Sequence, residues 1–144
     1  MEQNEISQFE SLETGLTEES KAFLKETGKW AYFISIVGFI GIGFMILASL
    51  FASTLMSGFG QTGIAPSLIT GIYLAMAGVY FLPIYYLFNF GNNVKKGFSE
   101  NDSDKLEIAF KNLKSHYKFI GVLMLIFIGI YILGILGTIL AAIF

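Results

Sequence analysis

The sequence predicts an all-α membrane protein with three transmembrane helices, and two observations support this prediction. Apolar residues make up 54% of the chain and charged residues only 14%, whereas about 25% of the residues in a soluble domain are charged. The charges are also unevenly spread, because the blocks at about 30–57, 67–90 and 119–143 contain none. Each block supplies the roughly 20 apolar residues that a helix needs to cross a bilayer core.

The positions of the lysines predict how the spans are oriented. Every basic residue is a lysine, and each lies either ahead of the first span or between the second and third spans. Because lysine-rich segments stay on the cytoplasmic side, we expect the N-terminus inside the cell and the C-terminus outside. Residues 1–15 are polar and acidic without an apolar period, so we expect a mobile tail ahead of a membrane domain at 16–144.

A short N-terminal amphipathic helix is expected ahead of the first span. Thr17 suits the N-cap position, and Glu18 and Glu19 follow in the first turn, where the helix dipole favours carboxylates. Gly28 is the candidate position for a bend between this helix and the span.

Spans two and three are expected to continue beyond the membrane as a cytoplasmic helical hairpin at about 91–118. The third helix should run unbroken from about Asp104 to about Ile143, on the order of 60 Å. Phe98 is expected to close the hairpin against an apolar face of that helix, near Leu106 and Phe110. The residues of this face follow helical spacing and are Leu106, Ala109, Phe110, Leu113 and Tyr117.

Small residues recur at helix-packing spacings in all three spans. In lipid, such residues let two helix backbones approach closely, so they are candidates for packing within the chain or against other membrane subunits. Two rows of small residues on the third span make a homo-oligomer an expected form of the protein. The candidate positions are Gly38, Ser49, Ser53, Gly71, Ala75, Gly129 and Gly137.

The side chains that usually carry enzyme and transport chemistry are missing from the spans. No Asp, Glu, Lys, Arg or His lies within them, so proton-coupled transport lacks its usual carriers. The chain has no Cys, and its one histidine, His116, provides neither a metal cluster nor a catalytic dyad. We therefore expect a non-enzyme without catalytic, cofactor-binding or metal-binding residues. The net charge of −2 gives nucleic-acid binding no support.

The lysines of the predicted hairpin form the main candidate binding surface. Basic side chains beside a membrane attract anionic lipid headgroups, and the same surface is available to a protein partner. The candidate residues are Lys95, Lys96, Lys105, Lys111 and Lys114.

Two parts of the sequence resemble a bacterial family of small membrane proteins, the domain of unknown function 5362. The first is the segment LTEESKAFLKETGKW from Leu16, with IVGFI from Ile36, and the second is FKNLKSHYKFIG from Phe110. The resemblance implies a bacterial inner-membrane protein and brings no catalytic residue with it.

These observations favour a scaffold or accessory subunit that acts through helix–helix assembly in the membrane. The alternative is a small oligomeric pore or transporter lined by the Ser- and Gly-rich faces of the spans, above all by Ser49, Ser53 and Ser57.

Overall fold

The structure is a computed structural model that describes residues 3–4, 6, 15–58 and 66–143, leaving aside the side chains at 53, 56–58 and 66. Within these residues it contains three long α-helices and no strand. The helices are α1 at Glu18–Gly58, α2 at Pro66–Glu100 and α3 at Ser103–Ile143. All three are long and apolar enough to cross a membrane, which confirms the predicted fold class at that level. The expected tail at 1–15 lies almost wholly outside the described residues.

Helix α1 begins with the predicted cap. The hydroxyl oxygen of Thr17 accepts a hydrogen bond from the backbone N–H of Ser20 at 3.2 Å, which satisfies one of the free donors of the first turn. The Glu18 carboxylate accepts a 2.8 Å hydrogen bond from the ammonium of Lys21, and this bond lowers the pKa of Glu18 from its usual value.

The short helix expected ahead of the first span is the first part of α1, which is one continuous helix through Gly28. The physical reason is packing. A Cβ built on Gly28 would lie 2.7 Å from a methyl carbon of Val94, so α2 presses directly against the α1 backbone at this position. Gly28 therefore serves as a contact point between two helices.

Helix α1 packs on α2 along most of its length through residues that repeat every seven positions. We call this row the α1 seam, and its buried members are Lys21, Gly28, Ser35, Ile42 and Ser49. A seven-residue repeat keeps one face of a helix against its neighbour in a left-handed pair. Aromatic rings flank the seam. The ring centre of Phe39 in α1 lies 5.7 Å from the ring centre of Phe81 and 5.8 Å from that of Phe88, both in α2.

A two-residue turn joins α2 to α3. Asn101 has a left-handed φ of 51°, and the backbone N–H of Asp102 donates to the carbonyl of Gly97 at 3.0 Å, the pattern of a Schellman helix end. The Asp102 carboxylate then accepts hydrogen bonds from the backbone N–H groups of Asp104 and Lys105. One turn therefore closes α2 and caps α3.

Helix α3 contacts α2 but makes no close backbone approach to α1 within the described part of the chain. Its contact face contains Leu106, Ala109 and Leu113 of the predicted face, but Phe110 and Tyr117 are 49% and 66% exposed. Six of the buried and half-buried residues of α3 follow alternating steps of three and four, as two supercoiled helices require. We call them the α3 seam, and they are Leu106, Ala109, Leu113, His116, Ile120 and Leu123. Beyond Leu123, every described residue of α3 is exposed.

The apolar core lies where all three helices meet. Ala31 of α1, Phe90 and Val94 of α2 and Ala109 of α3 form one buried cluster, in which Phe90 is 0% and Val94 1% exposed. Partly buried side chains pack around the cluster, and these are Leu24, Leu87, Phe98 and Leu113.

Candidate functional site

All nine lysines of the chain lie at one end of the helix bundle. They occupy the start of α1, the last turns of α2 and the first four turns of α3, and contacts between these segments bring them together. Gly28 touches Val94, and the space beside Gly97 is filled by Leu106. We call this the charged end, and its ionisable groups make it the part of the described structure that is best suited to bind a polar ligand.

A crevice opens between α1 and α2 at the charged end, with a volume of about 490 Å³. Three lysines line it, Lys25 and Lys29 from α1 and Lys95 from α2, and no carboxylate does. Its apolar surface includes Tyr32 and Phe98. The ammonium of Lys25 lies 4.7 Å from the centre of the Phe98 ring, which is within the range of a cation–π interaction.

The crevice lies beside the closest approach of α1 and α2. A Cβ built on Gly91 would lie 2.6 Å from the backbone oxygen of Gly28 and 2.7 Å from the backbone nitrogen of Tyr32. No real side chain tolerates such distances, so only glycine at position 91 allows the two backbones to cross here. This contact fixes the separation of the helices that carry the three lysines.

The predicted packing residues fall into two groups. Gly38 and Ser49 lie in the contact between α1 and α2, where Gly38 faces Ile84 and Ser49 is 0% exposed with its hydroxyl donating to the carbonyl of Ile46. The side chain of Ser53 lies outside the described residues, as does that of Ser57. The remaining candidates are exposed, namely Gly71, Ala75, Gly129 and Gly137. A Cβ built on any of these three glycines meets nothing within 4 Å.

The five lysines predicted as a headgroup or partner surface are spread over the charged end. Lys95, Lys96, Lys111 and Lys114 are exposed and Lys105 is half-buried. Of the five, only Lys95 lines the crevice.

Sequence reasoning missed Lys25, Lys29 and Gly91 as parts of a common site. The seven-residue repeat of the α1 seam could have indicated the contact between α1 and α2. It was overlooked because small residues at a spacing of four lie in the same span. The convergence of Lys25 and Lys29 with Lys95 leaves no signal in the sequence, because it depends on which faces of α1 and α2 meet.

Among the described residues, no three His, Asp or Glu side chains converge in a way that could hold a metal ion. His116 is half-buried and forms a ring nitrogen hydrogen bond to the backbone of α2. Comparison of the chain with protein-family models, with curated proteins and with solved structures finds no match. The resemblance to the domain of unknown function 5362 therefore stays a prediction, and the site has to be interpreted from its own chemistry.

Proposed function

We propose that this protein is a non-enzymatic scaffold or accessory subunit of a bacterial inner membrane, acting through helix–helix assembly. In this proposal the N-terminus and the hairpin of α2 and α3 face the cytoplasm, and the C-terminus lies outside. Three helices suited to a membrane and a lysine-rich end support it.

One observation carries the proposal, namely the difference between α1 and α3. Helix α1 has α2 beside it from Gly28 to Ser49, where the hydroxyl of Thr70 donates to the carbonyl of Ser49 at 3.2 Å. Helix α3 leaves α2 after Leu123, and its last 20 residues, 124–143, are all exposed, with no neighbouring helix among the described residues. A membrane helix without an intrachain neighbour is available to another membrane helix.

The occupant we propose for this part of α3 is the same helix of a second copy. Cβ positions built on Gly129, Gly134 and Gly137 meet nothing within 4 Å, so a second backbone has room to approach them closely. Close approach at small residues is what drives helix association in lipid, where burial of apolar surface gives little driving force. A twofold pair would use the same glycines on both copies.

Disulfide scanning along α3 tests the assembly. The chain has no cysteine, so single cysteines placed in turn over 124–143 report only on contacts between copies. We expect crosslinking of the full-length protein in lipid nanodiscs to peak every three to four residues, on the face that contains Gly129 and Gly137. Uniformly weak crosslinking along α3 would mean that lipid covers this helix and would overturn the proposal.

A pair of leucine variants provides the matched comparison. Gly129→Leu should abolish the crosslinks, because the side chain would hold the two backbones apart. Gly78→Leu should leave them intact, because Gly78 is equally open in the chain but belongs to α2. If Gly78→Leu were the disruptive variant, the assembly face would lie on α2.

Reporter fusions test the proposed orientation separately. A reporter inserted at Asn101 should show cytoplasmic activity, and one fused after Phe144 should show activity on the outer side. A cytoplasmic C-terminus would contradict the three-span topology without deciding whether the protein assembles.

A further inference from the structure

We infer that the crevice lined by Lys25, Lys29 and Lys95 is a binding site for the phosphate-bearing headgroup of an anionic phospholipid. This inference goes beyond the proposed assembly and does not depend on it, since the crevice lies between α1 and α2 of one chain.

The charge of the crevice suits an anionic ligand. Three ammonium groups from two helices surround one cavity, and none of its lining residues is a carboxylate. The ion pair between Lys21 and Glu18 lies outside the crevice. The three positive charges therefore lack a neutralising group within the cavity, and a phosphate group would supply one.

The crevice lies at the level where the charged part of each helix meets its apolar part. Lys29 is the last charged residue of α1 before the charge-free block that begins at Trp30, and Lys95 is the first charged residue after the charge-free block of α2. The crevice thus lies at the boundary between the apolar and the charged parts of both helices. At a membrane this boundary coincides with the headgroup layer, where phospholipid phosphates are concentrated.

The lining of the crevice combines apolar side chains with the three lysines. Tyr32, Val94 and Phe98 give it an apolar surface beside the lysines, which suits the glycerol and upper acyl-chain carbons of a lipid as well as its phosphate. A soluble phosphate ion would use only the lysines. The volume of about 490 Å³ exceeds what a single phosphate ion needs, and it falls within the range of small-molecule sites.

The pairing of Lys25 with Phe98 distinguishes this site from a diffuse basic surface. The ring holds the ammonium 4.7 Å from its centre, so one of the three cations is already positioned before a ligand arrives. The backbone contact between Gly28 and Gly91 holds the two helices at a fixed distance. A site that is organised in advance binds more tightly than freely moving lysines.

Quenching of the fluorescence of Trp30, the single tryptophan of the chain, measures occupancy directly. Trp30 lines a neighbouring cavity that shares Lys25 and Lys29 with the crevice, so a phospholipid brominated near its headgroup and bound at these lysines brings its bromine atoms close to the indole ring. We would place the full-length protein in phosphatidylcholine bilayers that contain a minor fraction of brominated phosphatidylglycerol or brominated phosphatidylcholine. The inference predicts stronger quenching by phosphatidylglycerol, and this excess should fall when unbrominated phosphatidylglycerol competes.

Two triple variants with equal charge separate the crevice from general attraction to the membrane. Replacing the crevice lysines by Lys25→Gln, Lys29→Gln and Lys95→Gln should lower the preference for phosphatidylglycerol about tenfold. The control replaces Lys96, Lys111 and Lys114 by Gln, removes the same charge outside the crevice, and should retain most of the preference. Equal losses in the two triple variants would overturn the inference.

Two further results would also overturn it, and neither requires a variant to fold. Equal quenching of the wild-type protein by the two brominated lipids would mean that the crevice does not select anionic headgroups. Displacement of brominated phosphatidylglycerol from the wild-type protein by millimolar inorganic phosphate would assign the site to a soluble anion. We expect selective quenching that inorganic phosphate does not reverse.

Discussion

The Nδ1 atom of His116 on α3 lies 2.7 Å from the carbonyl oxygen of Pro83 on α2. A carbonyl oxygen can only accept, so Nδ1 carries the proton and donates it. The bond joins positions 33 residues apart in the chain, and it lies near the point beyond which α3 leaves α2. His116 therefore links α3 to α2 through a side-chain hydrogen bond.

Removing this donor should weaken the contact between α2 and α3. We expect His116→Leu, which keeps an apolar volume but has no donor, to lower the free energy of unfolding by about 1 kcal/mol. His116→Asn should retain most of the stability, because its amide N–H₂ can occupy nearly the position of Nδ1. Titration of each detergent-solubilised variant with a denaturing detergent, followed by circular dichroism, measures its free energy of unfolding. Equal stability of the leucine variant and the wild type would contradict this role.

The contact of Gly91 with the α1 backbone leads to a second prediction. Gly91→Ala places a methyl group where the backbone oxygen of Gly28 lies 2.6 Å away, so α1 and α2 have to separate. We expect a loss of about 1–3 kcal/mol in unfolding free energy, the usual cost of overpacking.

Gly78→Ala is the matched control for this substitution. Gly78 lies in the same helix, but a Cβ there meets nothing within 4 Å. Its alanine variant should be as stable as the wild type or more stable, because alanine has the higher helix propensity. If both alanine variants behaved alike in the same titration, the close crossing of α1 and α2 would be disproved.

The left-handed backbone of Asn101 leads to a third prediction. A β-branched residue tolerates a φ of 51° poorly, so Asn101→Val should lower the unfolding free energy by about 1–2 kcal/mol. Asn101→Gly should not lower it, because glycine adopts this conformation without strain. Lys96→Val controls for the introduction of valine at an exposed helical position of α2. A similar loss in the Asn101 and Lys96 valine variants, measured by thermal unfolding, would contradict the turn geometry.

The helix ends could be predicted closely because they depend on local chemistry. Thr17 at the start of α1 has the hydroxyl that a cap needs, and the unbroken course of α3 follows from the absence of Pro between Asp104 and Ile143. The short N-terminal helix continues into the first span through Gly28, a residue of low helix propensity that lies in a tertiary contact with Val94.

The faces of the helices could not be predicted equally well. On α3 the pattern in the sequence correctly included Ala109 but also favoured Phe110 and Tyr117, which are exposed, and it did not include His116, which contacts α2. Large apolar side chains are expected to face either a partner helix or lipid, so their periodicity does not indicate which. At the contact, a small residue such as Ala109 allows a closer approach, and His116 gains a hydrogen bond to α2.

The sequence by itself determined that the chain has three helices able to cross a membrane. It also determined that all lysines lie near the start of the first helix, the end of the second and the start of the third. Hydropathy and charge act residue by residue along the chain, so both features are visible without a fold. Only the tertiary structure decided that Gly28 meets Gly91, that Lys25 and Lys29 share a crevice with Lys95, and that α3 beyond Leu123 is exposed in the part of the chain that the structure describes. These relationships depend on the rotation and crossing of one helix against another, and backbone contacts between distant residues set that geometry.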